Sequence, residues 1–530
     1  MKPLRTRKTK KTPEPEISQP SASDIEQKNM PLCSSVAENL ITFQGIYSNC
    51  ADFDYRELII GQDQIPVLLL FIDGITDEQT INQNVLKSLM NIQCSKLDVS
   101  GSNSIEMIKN VFMEIGSIKE ISTIGEVSEA ILTGNVGLLL EGTTKALKIG
   151  TKGSEGRIVT EPVTEGVVRG PREGFTESLR TNTALLRRKI KTPSLKMEKF
   201  VLGSCTMTEV NIAYLEGTVN PKVVAEVKKR ISRINVDSVL ESSYIEELIE
   251  DNSFSLFPQI EHSERPDKIA SGILQGQVAI FTDGTPFVLL VPTMVFQFLQ
   301  SSEDYYDRFI YASSIRLVRF IFLNFALLLP GLYIAITTFH QELIPTPLLV
   351  SITAAREGVP FPTFVEVLIM EVTFEALREA GIRLPKSIGQ AVSIVGGLVI
   401  GDAAVQASIV SSVTVIVVAL TGISSFCLPS YSFGLGIRVL RFSMIFLGST
   451  LGLFGILLGL LVMQAHLVSL RSFGVPYFAP IAPFNLKDAK DLVMRFPWWA
   501  MGERPRLFAK TNRRRQKFFM KPAPPDEKKP

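Results

Sequence analysis

Histidine and cysteine are scarce in this chain of 530 residues, which contains three histidines and five cysteines. The histidines lie far apart in the sequence, which argues against a bound metal and against a histidine base. The cysteines are odd in number and form no CxxC pair, which argues against a disulfide framework or a structural zinc site. They are Cys33, Cys50, Cys94, Cys205 and Cys427.

Motifs of the common catalytic sites are also missing. The chain has no P-loop, no GxGxxG fingerprint and no GxSxG elbow. The acidic residue and glycine pairs of the N-terminal half resemble active-site turns, but hairpins favour such pairs for backbone reasons alone. We therefore expect neither an enzyme nor a bound cofactor, and the net charge of +2 gives no indication of a nucleic-acid partner.

Charge becomes sparse after Arg319, and the 51 residues from Ser387 to Ile437 carry a single formal charge, Asp402. About 20 apolar residues cross a bilayer core, so the pattern predicts a membrane domain over residues 320–470. We expect about four spans near 320–339, 364–381, 388–420 and 442–465. In the last span, four glycines fall on one stripe that should face another helix closely: Gly448, Gly452, Gly455 and Gly459.

Basic residues before the first span set the predicted orientation. Arg308, Arg316 and Arg319 precede it, and the positive-inside rule places them in the cytoplasm with the soluble region. The basic tail over 471–530 belongs on the same side. The segment 292–319 is predicted as an interfacial elbow. This topology leaves Arg438 and Arg441 outside or at the interface, which is its weak point.

The soluble region contains an internal repeat. IPVLLLFIDGITDEQTINQNVLKSLM from Ile65 matches TEVNIAYLEGTVNPKVVAEVKKRISR from Thr208, and each reads as a buried strand, a turn and an amphipathic helix. A second matched pair follows, with turns at Gly142 and Gly284, and the glycine separations are 68 and 67 residues. We expect two similar α/β subdomains over 48–153 and 199–291, followed by an all-α polytopic membrane domain.

Two further segments flank these subdomains. Residues 1–47 are basic and then rich in proline, serine and glutamate, which predicts a disordered tail without the apolar stretch of a signal peptide. Such a tail either is solvated or rests on anionic membrane lipid as a partner. Residues 154–198 are predicted as a basic linker, belonging to neither copy and helical from Glu173 to Lys191. Its arginines are candidates for a partner or subunit interface, and a solvated helix without a partner is the alternative. The candidates are Arg169, Arg172, Arg180, Arg187 and Arg188.

Glu371, Glu375 and Glu379 repeat at helical spacing, so three carboxylates share one helix face. Carboxylates are costly in lipid and normally face a bundle interior or a watery cavity. They are therefore candidates for an ion pathway, and the alternative is that they pair with Arg356, Arg378 or a partner. Asp402 and Gln406 form a second polar site at membrane depth, for which interhelical hydrogen bonding is an equal alternative.

Three stretches carry a family resemblance: VVRGPREGFTESLRTNTALLRRKIK in the linker, LLVSITAAREGVPFPTFVEVLIMEVTFEALREAGIRLP, and IGQAVSIVGGLVIGDAAVQA. Together the chain resembles the A subunit of GerA-type spore germination receptors from about Phe53 to Trp498. The resemblance implies residence in the inner membrane of a bacterial endospore. It also implies a transporter-like B subunit and a lipoprotein C subunit as partners, and a homo-oligomer, thought pentameric, that forms a nutrient-gated ion channel.

Three functions compete at this stage. In a channel-forming receptor subunit, oligomeric symmetry would turn the three glutamates into rings that favour cations. In a non-conducting scaffold, the same glutamates would pair with basic partners. A secondary transporter is the third possibility, but its repeats usually lie within the membrane domain, whereas the repeat found here is in the soluble part.

Overall fold

The computed structural model describes residues 29–60, 64–90, 105–106, 109, 117–151, 161–162, 164–385, 399, 401–516 and 520–522. Most of the predicted N-terminal tail, Cys94 and the beginning of the predicted third span lie outside these ranges. Within them the chain forms two five-stranded antiparallel sheets, a group of apolar helices and a C-terminal segment that returns to the second sheet.

The first sheet is preceded by helix α1 (Val36–Ile46) and has the strand order β1-β2-β4-β5-β3. Its long runs of apolar residues are buried on both faces, so the sheet is a central layer. A helical segment over 78–90, α2, packs on one face, while α1 and α3 cover the other. The strands are β1 (Phe53–Ile60), β2 (Ile65–Ile72), β3 (Ile118–Ile121), β4 (Val136–Leu140) and β5 (Ala146–Ile149), with α3 (Ile124–Leu132) before β4.

The second sheet has the order β6-β7-β9-β10-β8, which is the order of the first sheet with each number raised by five. Helix α4 (Leu179–Lys189) precedes it, as α1 precedes the first sheet. The strands are β6 (Leu195–Leu202), β7 (Thr208–Leu215), β8 (Glu261–Ser263), β9 (Val278–Thr282) and β10 (Val288–Val291), and the helices among them are α5 (Pro221–Arg233), α6 (Ser242–Ile249) and α7 (Pro266–Gln275).

Equivalent hydrogen bonds occur around α1 and α4. The Asn39 side chain accepts from the Cys33 amide and donates to its carbonyl, and Asn182 does the same with Thr176. The glycines of the four matched turns also share a left-handed conformation, with φ of 82° at Gly74, 80° at Gly142, 78° at Gly217 and 87° at Gly284. Such φ values favour glycine, which explains its recurrence in the sequence.

Helix α4 was expected to belong to neither copy; in the structure it precedes the second sheet as α1 precedes the first. The Asp283 carboxylate accepts from the Leu179 amide at the start of α4, as the Glu141 carboxylate accepts from the Val36 amide at the start of α1. The helix also ends two residues before the predicted limit, and β6 begins inside the predicted linker. Sequence comparison missed this correspondence because a basic helix and one whose single charge is Glu38 have little in common.

The helical region begins with α8 (Phe309–Phe339), which starts inside the predicted elbow. It continues with α9 (Thr346–Arg356), α10 (Thr363–Arg383), α11 (Gly401–Gln406), α12 (Ser412–Phe426) and α13 (Tyr431–Ser469). Among the described residues, α8 and α13 are long and apolar enough to cross a membrane, and α12 is a shorter apolar helix. Because residues 407–411 separate α11 from α12, no single helix runs through the described part of the predicted third span.

Helix α13 reverses direction at Gly452, where φ is 62° and ψ is −145°. A continuous helix would separate residues 433 and 466 by about 50 Å, yet both side chains pack on the Phe257 ring, with centroid distances of 6.0 Å for Phe433 and 6.1 Å for His466. A Cβ at Gly455 would lie 2.3 Å from the Leu447 carbonyl oxygen. The two halves, 431–451 and 453–469, are therefore antiparallel arms of a hairpin, and the predicted span 442–465 is not one straight helix.

The contacts fix the relative direction of the helices. Gly331 of α8 packs against Gly448, and Phe339 at the end of α8 lies against Gly452, so α8 runs parallel to the first arm. In α10, Val367 lies in one cluster with Ile445, whereas Glu375 lies farther down beside Arg438. Helix α10 is therefore antiparallel to that arm. Both arm ends of the hairpin lie next to the second sheet.

The predicted basic tail is an ordered segment over residues 471–516, called the strap below. The Tyr477 hydroxyl donates to the Pro258 carbonyl at 2.6 Å, and the Ser472 hydroxyl donates to the Gln259 carbonyl at 2.7 Å. Farther along, Asp491 receives a bond of 2.7 Å from the Arg316 guanidinium near the start of α8. The strap thus joins the end of the hairpin to the second sheet and to α8.

Candidate functional site: an ion-pair cluster between apolar helices

A cluster of charged side chains lies between α10 and the first arm of α13. Arg441 is fully buried, and its two terminal nitrogens lie 3.1 Å from Glu371 Oε2 and 2.7 Å from Glu375 Oε1. The sequence places these glutamates one turn apart on α10, and the hairpin brings the arginine to the same level. Because isolated buried charges are very costly, Glu371 and Arg441 each depend on the other as a partner there.

Glu375 is the centre of the cluster. Arg438 approaches its second oxygen at 3.1 Å, and Arg378, one turn along α10, lies 3.5 Å away. Arg378 also lies over the Phe426 ring at 4.4 Å, which connects the cluster to the end of α12. With two glutamates and three arginines, the cluster has a formal charge of +1 and not the negative charge that the three-glutamate stripe suggested.

A second buried carboxylate, Glu366, lies one level above the cluster. It pairs with Arg356 at 3.2 Å and accepts hydrogen bonds from the Ser411 amide and the Thr414 hydroxyl at the start of α12. Glu366 therefore joins α9, α10 and α12. It was not singled out from the sequence, although it lies five residues before Glu371, because it is outside the spacing of four that identified the stripe.

The remaining candidates for the ion pathway, Glu379, Asp402 and Gln406, are exposed. Glu379 pairs with Arg383 on its own helix, and Gln406 donates to Asp402 at 2.7 Å, also within one helix. The described residues thus place Glu371 and Glu375 against α13 but leave Glu379, Asp402 and Gln406 on the surface of the chain. The predicted common face is divided between a buried part and an exposed part.

The four glycines of the predicted stripe serve different contacts. A Cβ at Gly448 would lie 2.6 Å from the Gly331 carbonyl oxygen, so α8 and α13 meet backbone to backbone at this point. Gly452 makes the reversal, and Gly455 and Gly459 pack against the first arm of α13 itself. The glycines thus make close helix contacts with two different neighbours, which are α8 and the first arm of α13.

The linker arginines bind acidic residues of the same chain. Arg187 is fully buried and forms two hydrogen bonds of 2.8 Å with Asp52, and Arg180 binds Asp73 in the turn of the first sheet. These pairs attach α4 to the first sheet, so Arg187 is not available to a partner in this arrangement. Arg169 and Arg172 are exposed and lie 3.6 Å from Asp307 and 3.9 Å from Glu161, respectively, while Arg188 is exposed on α4.

Two histidines connect the second sheet to the two ends of the hairpin. His262 Nε2 lies 3.4 Å from the Ser432 hydroxyl, and His466 Nε2 lies 3.1 Å from the Ser255 hydroxyl. Glu246 lies 3.8 Å from His262 on the other side. Burial raises the pKa of the Glu246 carboxyl to about 7, and burial lowers the pKa of His262. Titratable groups therefore occupy the junction between the sheet and the helices.

The described residues thus form two antiparallel sheet units followed by apolar helices, of which α8 and α13 are long and apolar enough to cross a membrane. The family model for the Bacillus/Clostridium GerA spore germination protein matches residues 42–507. The chain therefore belongs to the GerA family of spore germination proteins, which is a family of germination proteins and not of enzymes.

Individual relatives have similar lengths. The chain is 44% identical over 502 residues to spore germination protein KA of Bacillus subtilis, covering 94% of this chain and 92% of that protein. It is also 44% identical to the uncharacterized membrane protein YfkQ of the same organism, covering 95% and 96% of the two chains. A crystal structure of the N-terminal domain of the A subunit of the Bacillus megaterium germinant receptor GerK3 is 35% identical, covers 49% of this chain and 96% of that domain, and has a TM-score of 0.41.

Proposed function

We propose that this chain is the A subunit of a nutrient-sensing spore germination receptor, in which copies of it form a germinant-gated ion channel in the spore inner membrane. The observation that carries the proposal is the extent of the family match, which includes both sheet units and the apolar helices. The soluble region would face the cytoplasm, because the basic strap and the arginines at the start of α8 lie on its side. The expected partners are a transporter-like B subunit and a lipoprotein C subunit.

The two sheet units are, in this proposal, copies of one α and β unit that starts before α1 and again before α4. Their equal strand order supports this, as do the matching hydrogen bonds of Asn39 and Asn182. A duplicated unit offers similar surfaces twice along the chain. Such surfaces suit an oligomer, thought pentameric, in which one unit of each subunit contacts the other unit of its neighbour.

The ion-pair cluster is the proposed control point of ion passage. Glu371 and Glu375 are neutralised by arginines, so they can attract a cation only after Arg438 and Arg441 of the first arm move away. Low-dielectric walls would then strengthen the attraction of the freed carboxylates for the ion. Movement of the hairpin relative to α10 would thereby change the charge presented to the pathway, and Glu379 would extend the acidic surface.

Ion flux through liposomes that contain this chain with its partner subunits, measured before and after germinant addition, tests the proposal. For Glu375→Gln we expect lower cation flux or altered ion preference for each assembled receptor. Glu357→Gln is the matched control, because Glu357 is exposed at the end of α9. Absence of germinant-dependent flux from wild-type receptors would refute the channel proposal.

A non-conducting scaffold subunit is the second candidate. It is favoured by the complete burial of Glu371 and by the three arginines around Glu375, since buried ion-pair networks also serve structure alone. Under this alternative, Glu375→Gln would reduce the amount of assembled receptor, and any flux through each receptor would remain unchanged. Receptor quantity and flux must therefore be measured on the same samples.

A further inference from the structure

The two tryptophans of the chain are adjacent and exposed. Trp498 and Trp499 retain 45% and 40% of their accessible surface, and Phe496 beside them retains 43%. Large aromatic side chains normally bury most of their surface. Three exposed aromatics within four residues therefore mark a surface that is covered when the protein is in its natural setting.

This surface is held at the beginning of the first apolar helix. Ser313 of α8 donates to the Arg495 carbonyl at 2.9 Å and accepts from the Arg495 amide at 3.1 Å, and the Trp498 ring packs on Tyr305 with a centroid distance of 5.9 Å. The neighbouring residues Ile310 and Tyr311 of α8 are each 61% exposed. The exposed aromatics therefore continue onto the first turns of α8, where an apolar helix would leave the aqueous phase.

Positive charge surrounds the same aromatics. The guanidinium carbon of Arg515 lies 5.7 Å from the Trp498 ring centre, and the Lys521 ammonium lies 5.5 Å from the Trp499 ring centre. The stretch 504–521 contains eight basic residues and no acidic one. Tryptophan is enriched at membrane interfaces, and each nearby Lys or Arg adds attraction to an anionic leaflet.

An exposed aromatic residue also lies at the base of the hairpin. Phe254 is 97% exposed in the loop beside Ser255, which contacts His466 at the base of the hairpin. The bases of α8 and of the hairpin thus each present an exposed aromatic residue next to the sheet region. A single headgroup layer that crosses both bases would cover both.

We propose that Phe496, Trp498 and Trp499, together with Arg515 and Lys521, form an interfacial surface that binds anionic phospholipid headgroups. The aromatic rings would lie at the level of the headgroups, and the basic side chains would contact lipid phosphates. The inference rests on the proposed membrane insertion of α8 and α13. It gives the strap a role beyond packing, because lipid bound there holds the base of α8 to the bilayer surface.

Intrinsic fluorescence tests this directly, since the chain has no other tryptophan. The full chain is reconstituted into nanodiscs of phosphatidylcholine, with or without phosphatidylglycerol, and with lipid brominated near the headgroup. We expect the emission to shift to shorter wavelength relative to a water-exposed tryptophan and to be quenched by the brominated lipid. Quenching should increase with phosphatidylglycerol and decrease with salt, because salt screens exposed charges.

A charge variant separates lipid recognition from simple proximity. The double variant Arg515→Gln and Lys521→Gln should lose the increase caused by phosphatidylglycerol, since these are the basic residues beside the two tryptophan rings. The matched control is Arg56→Gln and Lys87→Gln, which removes the same charge from exposed positions of the first sheet unit. If both double variants keep the full phosphatidylglycerol effect, recognition of anionic lipid at this surface is refuted.

Two reference tryptophans distinguish the possible failures. In a Trp498→Phe and Trp499→Phe background, Phe454→Trp on the exposed face of the second arm reports membrane insertion, and Ile59→Trp on β1 reports the aqueous phase. Quenching at 454 with none at 498 and 499 would overturn this inference alone. No quenching at 454 would overturn the membrane insertion as well. A shift that follows the number of chains per disc, and not the lipid, would also overturn it and assign the surface to contact between copies.

Discussion

Arg441 Nη1 lies 3.1 Å from Glu371 Oε2, and neither side chain has any accessible surface. The two residues are 70 positions apart and meet because the first arm of α13 runs antiparallel to α10. Two charges buried in this way depend on each other. Removing one partner leaves an uncompensated charge, whereas removing both leaves a neutral contact.

We therefore expect Arg441→Met to destabilise the protein by about 3–5 kcal/mol. The double variant Glu371→Gln with Arg441→Met should recover part of this loss, because no unpaired glutamate then remains at position 371. Thermal unfolding of the purified receptor in detergent measures both effects. Arg383→Met is the control, since it breaks the exposed pair with Glu379 and should cost at most about 0.5 kcal/mol. Equal losses for the two arginine variants would contradict the importance of the buried pair.

The hairpin predicts an accessible residue within a segment that hydropathy alone places at mid-membrane. Thr450 is exposed and lies next to the reversal at Gly452, at the level of Phe339. In a cysteine-free background, Thr450→Cys and Gln341→Cys should both react with an impermeant reagent from outside, and Asn512→Cys only from within. A Thr450→Cys variant that resists the reagent on both sides would favour one straight span over the hairpin.

The Arg187 and Asp52 pair should decide how firmly the two sheet units are joined. Arg187→Met leaves Asp52 unpaired between the units, and we expect a loss of about 3–5 kcal/mol. The adjacent Arg188 is exposed, so Arg188→Met should change stability by no more than about 0.5 kcal/mol. Limited proteolysis of the full chain should show faster cleavage between the sheets for Arg187→Met only. Identical cleavage of the two variants would count against this role of the pair.

The junction between the second sheet and the hairpin should respond to pH. The pKa of Glu246 is raised from 4.5 to about 7 by burial, reinforced by Glu250 and Glu241. The folded state therefore binds more protons than the unfolded state between these values, and the contribution of Glu246 to stability is full below pH 4.5 and is lost as the pH rises through 7. The lowered pKa of His262 acts in the opposite direction, adding stability as the pH rises through its unfolded value.

The comparison of Glu246→Gln with wild type isolates the carboxyl from the histidine. We expect the stability advantage of the variant over wild type to grow between pH 5 and 8, because only wild type must bury a charge at the higher pH. Thermal unfolding across this range provides the measurement. A constant difference between the two proteins at all pH values would show that Glu246 does not titrate in this interval.

The strands and turns of the soluble region could be predicted from the sequence. Its two halves contain the same succession of apolar strands and glycine turns, with nearly equal separations between the turns. The resemblance of α4 to α1 could not be predicted, since it lies in the matching side-chain bonds of Asn39 and Asn182 and not in hydropathy. All strand pairs of the two described sheets are antiparallel, although the α/β description alone leaves strand direction open.

The charged residues of the helical region were recognised, but their partners were not. Hydropathy assigns each charged residue its own value and does not register ion pairs. The predicted four-span topology therefore placed Arg438 and Arg441 outside or at the interface without partners. In the structure the base of the first arm lies beside the second sheet, and α10 places Glu375 opposite both arginines. Four glycines at helical spacing are compatible with a straight helix as well as with a hairpin. A glycine that is needed for its positive φ, such as Gly452, cannot be told in the sequence from one that is needed for close packing.

The hairpin is also a mechanical element. Its two ends are tied to the same sheet unit, through Ser432 at one arm and His466 at the other, while its tip rests on the end of α8. A rod attached at one end by two neighbouring points turns about the line between them more readily than it slides along its own axis. We therefore expect a small tilt of the second sheet to swing the arm that carries Arg438 and Arg441.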